Sequence, residues 1–251
     1  MLLGGLTNVN LIMSGVFLVM LLVMGLVFLR YSGTLTIDGQ GVRQTSLFGG
    51  ENILPWGDIN PQRRGVQRGL VLVDSMGGNK VRIDPDLNGF EQAIEMVRER
   101  RRDLWRQPGG TYDLRPNWLQ LAVPLVLVLF PFIILVTMFS YSTDFPLIVG
   151  LLLVILMVVM VSMLAMFIWR VSLEGDQLTV RRLTGEQRLQ VNEISDIRLE
   201  VVRAGRSGRI PVVKITTRQG KESTLRGQFI DAPNLYCVLR TWWEDRHTMV
   251  I

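Results

Sequence analysis

One histidine and one cysteine bound the chemistry available to this chain of 251 residues. His247 stands near the C-terminus with no second histidine and no cysteine pair, whereas a metal site needs several convergent ligands. Cys237 precedes the apolar pair Val238-Leu239 in a predicted helix and has no assignable base, so it reads as a small buried side chain. Serine and aspartate are plentiful, but without a suitably placed histidine they make no catalytic triad. Gly39-Gln-Gly41 and Gly49-Gly50 lack the dinucleotide fingerprint, and no Gly-Lys-Ser or Gly-Lys-Thr of a phosphate loop occurs. These residues predict no catalytic, cofactor-binding or metal site.

Cations are the remaining candidates. Arg63, Arg64 and Arg68 fall in a predicted loop, Arg181, Arg182 and Arg188 on predicted strands, and Arg203, Arg206 and Arg209 in a glycine-containing loop. Arg98, Arg100, Arg101, Arg102 and Arg106 crowd the end of a predicted amphipathic helix. Near an anionic leaflet a well-placed cation contributes about 1 kcal/mol. The competing account is topological: positive charge holds a segment in the cytoplasm, and arginine at a helix C-terminus complements its dipole. Trp242 lies on the apolar face of the last predicted helix. Trp243, next to it, points elsewhere and is a candidate partner contact. Acids are interspersed with the bases almost one for one in the first polar segment, so nucleic acid is not an expected partner.

The frame that carries these side chains is oily. Hydrophobic residues make up 48% of the chain, above what an ordinary soluble protein needs. They concentrate in Leu11–Leu29, Leu119–Phe139 and Phe145–Trp169, and Asp144 is the only charge between Arg115 and Arg170. A bilayer core takes about 20 apolar helical residues to cross, so three transmembrane helices are expected. No ionisable residue lies inside these runs, which argues against a transporter. From Arg30 to Arg115 there are 13 Lys and Arg, and from Arg170 to Arg246 there are 14, the whole supply of 27. The positive-inside rule then puts both polar segments in the cytoplasm and the N-terminus outside.

The two polar segments repeat one plan. In the first, Thr34–Ile37 and Val42–Phe48 are predicted strands about Asp38-Gly39, and Leu70–Val73 and Lys80–Ile83 flank Met76-Gly77-Gly78-Asn79. Asn88-Gly-Phe-Glu91 has the spacing of a capping box and opens an amphipathic helix on Phe90, Ile94, Val97 and Leu104. In the second, Val171–Leu173, Leu178–Leu183 and Arg188–Ile197 are predicted strands, and Pro211–Thr217 and Glu222–Arg226 flank Arg218–Lys221. Asp231 is the predicted N-cap of a helix with Pro233 in its first turn. Ile53-Leu-Pro-Trp-Gly-Asp-Ile59 lies over Leu189–Ile197.

With Tyr31…Leu35-Thr-Ile-Asp-Gly-Gln-Gly-Val42, Ile53-Leu-Pro-Trp-Gly-Asp-Ile59, the following hairpin and the Asn88–Trp105 helix, the chain resembles bacterial membrane proteins with pleckstrin-homology-like (PH-like) domains. The resemblance covers Arg30–Trp105 and extends to Arg170–Arg246, where the tryptophan is missing. It implies a bent β-barrel closed by a C-terminal helix, and a binding scaffold without catalytic machinery.

The expected organisation is a tail and first span over 1–29, a cytoplasmic PH-like domain over 30–107, a linker over 108–118, spans over 119–139 and 145–169, and a second cytoplasmic PH-like domain over 170–251. The expected fold is thus a three-helix membrane anchor with two small β-barrel-plus-helix domains, in the bacterial inner membrane. The expected function is that of a non-enzymatic scaffold or accessory subunit that holds a partner protein or a larger membrane complex. Arg63, Arg64, Arg68, Arg181, Arg182, Arg203, Arg206, Arg209 and Trp243 are the expected contacts. The alternative is a sensor of anionic headgroups, with membrane lipids as the partner of the arginine clusters.

Overall fold

The computed structural model describes residues 33–46, 50–61, 69–106, 111–114, 168–182, 184–203, 208–225 and 231–247, with further helical residues within 14–25, 130–137 and 151–162. The chain divides into two compact units, residues 1–60 with 71–82, and residues 61–70 with 83–251.

In the first unit β1 (Gly33–Ile37), β2 (Gly41–Ser46) and β3 (Glu51–Pro55) form an antiparallel meander. The turn between β1 and β2 is organised by Asp38, whose Oδ1 accepts the backbone N–H groups of Gln40 at 2.8 Å and Gly41 at 3.1 Å. Those two bonds hold the Asp38 carboxyl below the usual carboxylate range. Gly41 is required by contact: a Cβ there would stand 2.1 Å from the Leu54 carbonyl oxygen. A short 3-10 turn, η1 (Trp56–Asp58), leads to β4 (Asn60–Pro61), β5 (Leu70–Val73) and β6 (Lys80–Ile83), a second three-stranded sheet in the order β4-β5-β6. Val42, Leu54, Ile59, Leu72 and Val81 are fully buried.

The second unit holds two more antiparallel sheets. One has the order β10-β9-β8-β7, from β7 (Thr111–Leu114), β8 (Ile168–Glu174), β9 (Gln177–Arg182) and β10 (Gly185–Gln190). Strand β7 lies within the segment 108–118 and is pinned to β8 by Arg170, which donates to both Asp113 carboxylate oxygens at 2.8 and 2.9 Å. The other sheet is β11 (Ile194–Arg203), β12 (Arg209–Thr217) and β13 (Glu222–Leu225), entered through the 3-10 turn η3 (Val191–Glu193). Val201 N–H faces away from β12, since it donates to the Glu91 carboxylate at 3.0 Å. Its cross-strand partner is Pro211, which therefore sits where its missing N–H breaks no ladder bond.

Two helices complete this unit: α1 (Phe90–Arg100), followed by the 3-10 turn η2 (Arg102–Leu104), and α2 (Ala232–His247). The apolar faces of both are buried, with Phe90, Ala93, Ile94 and Val97 on α1 and Leu235, Val238, Leu239 and Trp242 on α2. Asp231 caps α2 as predicted, accepting Asn234 N–H at 3.3 Å. The capping box expected at Asn88–Glu91 does not form. Gly89, in the left-handed region at φ 79°, occupies the N-cap of α1 in place of Asn88 and has no side chain to cap with, and the Glu91 carboxylate accepts Val201 N–H instead.

The two halves share the order strand, strand, strand, 3-10 turn, strand, strand, strand, helix. They share hydrogen bonds as well. Trp56 N–H donates to the Gln40 carbonyl at 3.2 Å, and Val191 N–H donates to the Asp176 carbonyl at 2.9 Å. Gly77 N–H returns to Asp74 O at 3.0 Å and Gly220 N–H to Thr217 O at 2.9 Å, with φ of 75° and 76°. Pro55-Trp-Gly-Asp-Ile59 is thereby equivalent to Gln190-Val-Asn-Glu-Ile194, so Ile194, not Ile197, corresponds to Ile59.

The three-helix transmembrane anchor is not borne out. Among the described residues no helix is long and apolar enough to cross a membrane. A crossing takes about 20 consecutive helical residues, and the longest described stretch within the apolar runs is Phe17–Val23. The expected third span ends differently too, because β8 begins at Ile168 and takes Ile168 and Trp169 into a strand. The rest of Leu11–Leu29, Leu119–Phe139 and Phe145–Trp169 lies outside the described residues, apart from the helical residues named above. With the spans goes the placement built on them, a multi-pass protein of the bacterial inner membrane with both polar segments in the cytoplasm. Low charge and high hydropathy are only the compositional requirement for a span, which also needs one continuous helix.

Candidate functional site

The helix-borne arginines do not form a free basic cluster. Glu95 and Arg98 are one turn apart on α1, and Tyr236, Arg240 and Glu244 recur every four residues on α2, so each helix presents a polar stripe. The stripes meet. Arg98, 3% exposed, donates through Nε and Nη2 to Glu95 at 3.0 and 2.6 Å, and through Nη1 and Nη2 to Glu244 at 2.8 and 3.2 Å. Tyr236 OH donates to Glu95 Oε2 at 2.7 Å. Arg240 donates to Glu244 at 2.7 Å, to Asp196 of β11 at 2.7 Å and to the Ile197 carbonyl at 3.1 Å. Arg102 and Arg106 both donate to Asp245, at 2.7 and 2.9 Å.

Burial works against each charge in this network, and the partners overcome it. Burial disfavours the Arg98 cation, but Glu95 and Glu244 raise its pKa above the ordinary arginine value. Burial also pushes Glu95 upward, and hydrogen bonds from Arg98 and Tyr236 bring it below the usual carboxylate range. Asp196 and Asp245 are lowered in the same way, each against its own burial, by Arg198 with Arg240 and by Arg106 with Arg102. The Tyr236 hydroxyl is raised by burial first and by the Glu95 carboxylate second. Sequence reasoning missed this network. Its signal was present in the Glu95/Arg98 and Tyr236/Arg240/Glu244 spacings, but nothing in them says which helices face each other.

The strand-borne arginines differ. Arg181 on β9 and Arg203 at the end of β11 are exposed. Arg209 begins β12, directly opposite Arg203 in the register, and is half-buried. None of these three has an acidic partner among the described residues. Arg182 is half-buried and donates to the Thr224 carbonyl at 3.3 Å. Arg63, Arg64, Arg68 and Arg206 lie outside the described residues. Trp243 is half-buried; its Nε1–H donates to the Ile194 carbonyl at 3.3 Å, the Arg240 guanidinium lies 4.9 Å from its ring centre, and His247 lies 5.1 Å away. Arg203 and Arg209 thus sit together at the end of a long hairpin, and Arg181 and Trp243 lie on other elements.

Two cavities mark the second unit. One of about 270 Å³ lies where Asn88, Phe90 and Glu91 at the start of α1 approach Val201 and Arg209. The other, of about 520 Å³, opens between β10, η3 and the turn joining β12 to β13. Cys237 is fully buried on α2, and burial pushes its thiol well above the ordinary value, which leaves it a packing residue. No protein family matches the chain, and no curated protein matches it.

Proposed function

We propose that this chain is a non-enzymatic scaffold or accessory subunit whose PH-like β domains hold an acidic partner protein. One contrast carries the reading. Arg98, Arg102, Arg106 and Arg240 are matched to carboxylates of their own unit, whereas Arg181, Arg203 and Arg209 on the strands form no ion pair among the described residues, although Glu186 stands opposite Arg181 in the register of β9 and β10. Charge that is not needed at home is available to steer and orient a complementary surface. The repeated strand and helix order supports the PH-like assignment, and the buried charge network supports a rigid frame beneath the strands.

The test is affinity purification of the full chain from its own cells, followed by mass spectrometry. Arg181→Glu/Arg203→Glu/Arg209→Glu is the comparison. The expected result is an acidic partner recovered with the wild-type chain and lost with the reversed one. Recovery of this chain alone, or of the same partners with both, would overturn the reading.

A further inference from the structure

The cleft between β10, η3 and the β12–β13 turn is a built feature of the second unit. Its two walls are joined, since Arg218 N–H donates to the Glu193 carbonyl at 2.8 Å. Each wall is also closed on itself. In the turn, Thr217 N–H donates to Lys221 O at 3.0 Å, and Thr217 Oγ1 accepts Lys221 N–H at 3.2 Å. In η3, the Glu193 carboxylate accepts Gln190 N–H at 2.9 Å. The backbone of the cleft is therefore set before any ligand arrives. Its volume of about 520 Å³ falls within the range of about 300–1,000 Å³ common to small-molecule sites.

Charge selects the ligand. Arg188, Arg218 and Lys221 line the cleft against a single carboxylate, Glu193, which is tied to the backbone. Arg188 gives Nε to Glu186 at 2.6 Å, which leaves its Nη groups. Arg218 and Lys221 are exposed and have no acidic partner among the described residues. Ser223 Oγ donates to Gln187 Oε1 at 3.0 Å, which turns the Gln187 amide N–H groups to other partners. The fold does not demand these cations. In the first repeat the positions equivalent to Arg188, Arg218 and Lys221 are Ile53, Ser75 and Gly78, while Asp58 matches Glu193.

We infer that this cleft binds a phosphomonoester, a group of about two negative charges at neutral pH with three acceptor oxygens. Arg218 and Lys221 meet its charge, the Arg188 Nη groups give a third donor, and the amides of Gln187 and Asn192 face the neutral remainder of the ligand. A single carboxylate would leave one of the two unpaired cations without a match. The site stands on its own residues and does not rest on the partner-protein reading.

The test uses the purified full chain with two probes bearing the same group, glycerol 3-phosphate in solution and vesicles containing phosphatidic acid. Arg218→Gln/Lys221→Gln removes the charge, and Lys80→Gln, on an exposed side chain of the first unit, is the control outside the cleft. Both changes are on exposed side chains, and unchanged thermal unfolding without ligand confirms that the variants are folded. Saturable calorimetric binding of glycerol 3-phosphate, weakened about tenfold per cation removed and unchanged in Lys80→Gln, supports the site and a free ligand. Binding to the vesicles alone, with the same dependence on Arg218 and Lys221, supports the site and a lipid headgroup as its source. Binding of either probe that the double variant retains, or binding of neither probe, overturns the inference.

Discussion

Arg98 on α1 and Glu244 on α2 form a two-pronged ion pair, with Nη1 and Nη2 at 2.8 and 3.2 Å from the two carboxylate oxygens. The residues are 146 positions apart in the chain. Arg98 is also held by Glu95, and Glu244 by Arg240, so removing Glu244 leaves the buried Arg98 cation with one partner and removing Arg98 leaves two half-buried carboxylates without their shared cation. Breaking a buried pair from one side costs about 3–5 kcal/mol. Arg98→Ala and Glu244→Ala should each destabilise the second unit on that scale by denaturant unfolding. The double variant should lose less than the sum, with a coupling of about 1–3 kcal/mol. Strict additivity would show that the two side chains do not act as a pair.

Gly41 and Gly39 stand two residues apart and should respond unequally to the same change. A Cβ on Gly41 meets the Leu54 carbonyl oxygen at 2.1 Å, an atom of the neighbouring strand that cannot swing aside, while a Cβ on Gly39 meets nothing within 4 Å. Overpacking of this kind costs about 1–3 kcal/mol. Gly41→Ala should speed hydrogen exchange across β2 and β3, and Gly39→Ala should change it little. Equal effects would mean that the strands separate more easily than their register indicates.

Strands and helices were largely legible because their signals are local. Leu70–Val73 and Lys80–Ile83 were bounded correctly by the Gly77-Gly78 turn between them, and Asp231 marked its own helix start. What was not legible depends on distant partners. Glu91 has the spacing of a capping box, but Val201, 110 positions away, takes its carboxylate. Arg188–Ile197 reads as one strand by alternation, yet η3 interrupts it at Val191–Glu193, where Val191 N–H turns to Asp176. The arginines behaved likewise. Arg98, Arg102 and Arg106 stand outside the contacts expected from sequence, and only the fold shows that carboxylates of a distant helix hold them. In sequence Arg218–Lys221 only joins two strands, and the second wall of its cleft comes from another strand pair.

Thr241, fully buried on α2, has a hydroxyl without a hydrogen-bond partner among the described residues. A buried polar group in that state costs about 1–3 kcal/mol of desolvation. Valine has nearly the same shape and a similar helix propensity. Thr241→Val should therefore stabilise the second unit by about 1 kcal/mol, read as a raised denaturation midpoint with an unchanged slope. A loss of similar size would show that the hydroxyl has found a partner.

Asp231 gives the second unit a pH dependence opposite in sign to that of its ion pairs. Burial raises its carboxyl from 3.8 to about 6, against the hydrogen bonds from the Asn234 side chain and backbone. The folded state therefore holds a proton that the unfolded chain has released between about pH 4 and 6. A raised acid contributes stability that is fully present below its unfolded pKa and is lost as pH rises through its folded pKa. The lowered carboxyls of Glu95, Asp196 and Asp245 contribute stability above their unfolded values and lose it as pH falls. Asp231→Asn removes the titration and keeps an acceptor for Asn234 N–H. It also disturbs the Asn234 amide, whose Oδ1 already accepts Trp105 Nε1–H at 3.3 Å, and that cost is independent of pH. The readout is therefore the slope. The stability of Asp231→Asn relative to wild type should climb from about pH 4 to pH 6 and level off above, by at most about 3 kcal/mol. Parallel stability curves for the two proteins across that range would show that Asp231 ionises as freely in the folded unit as in the unfolded chain.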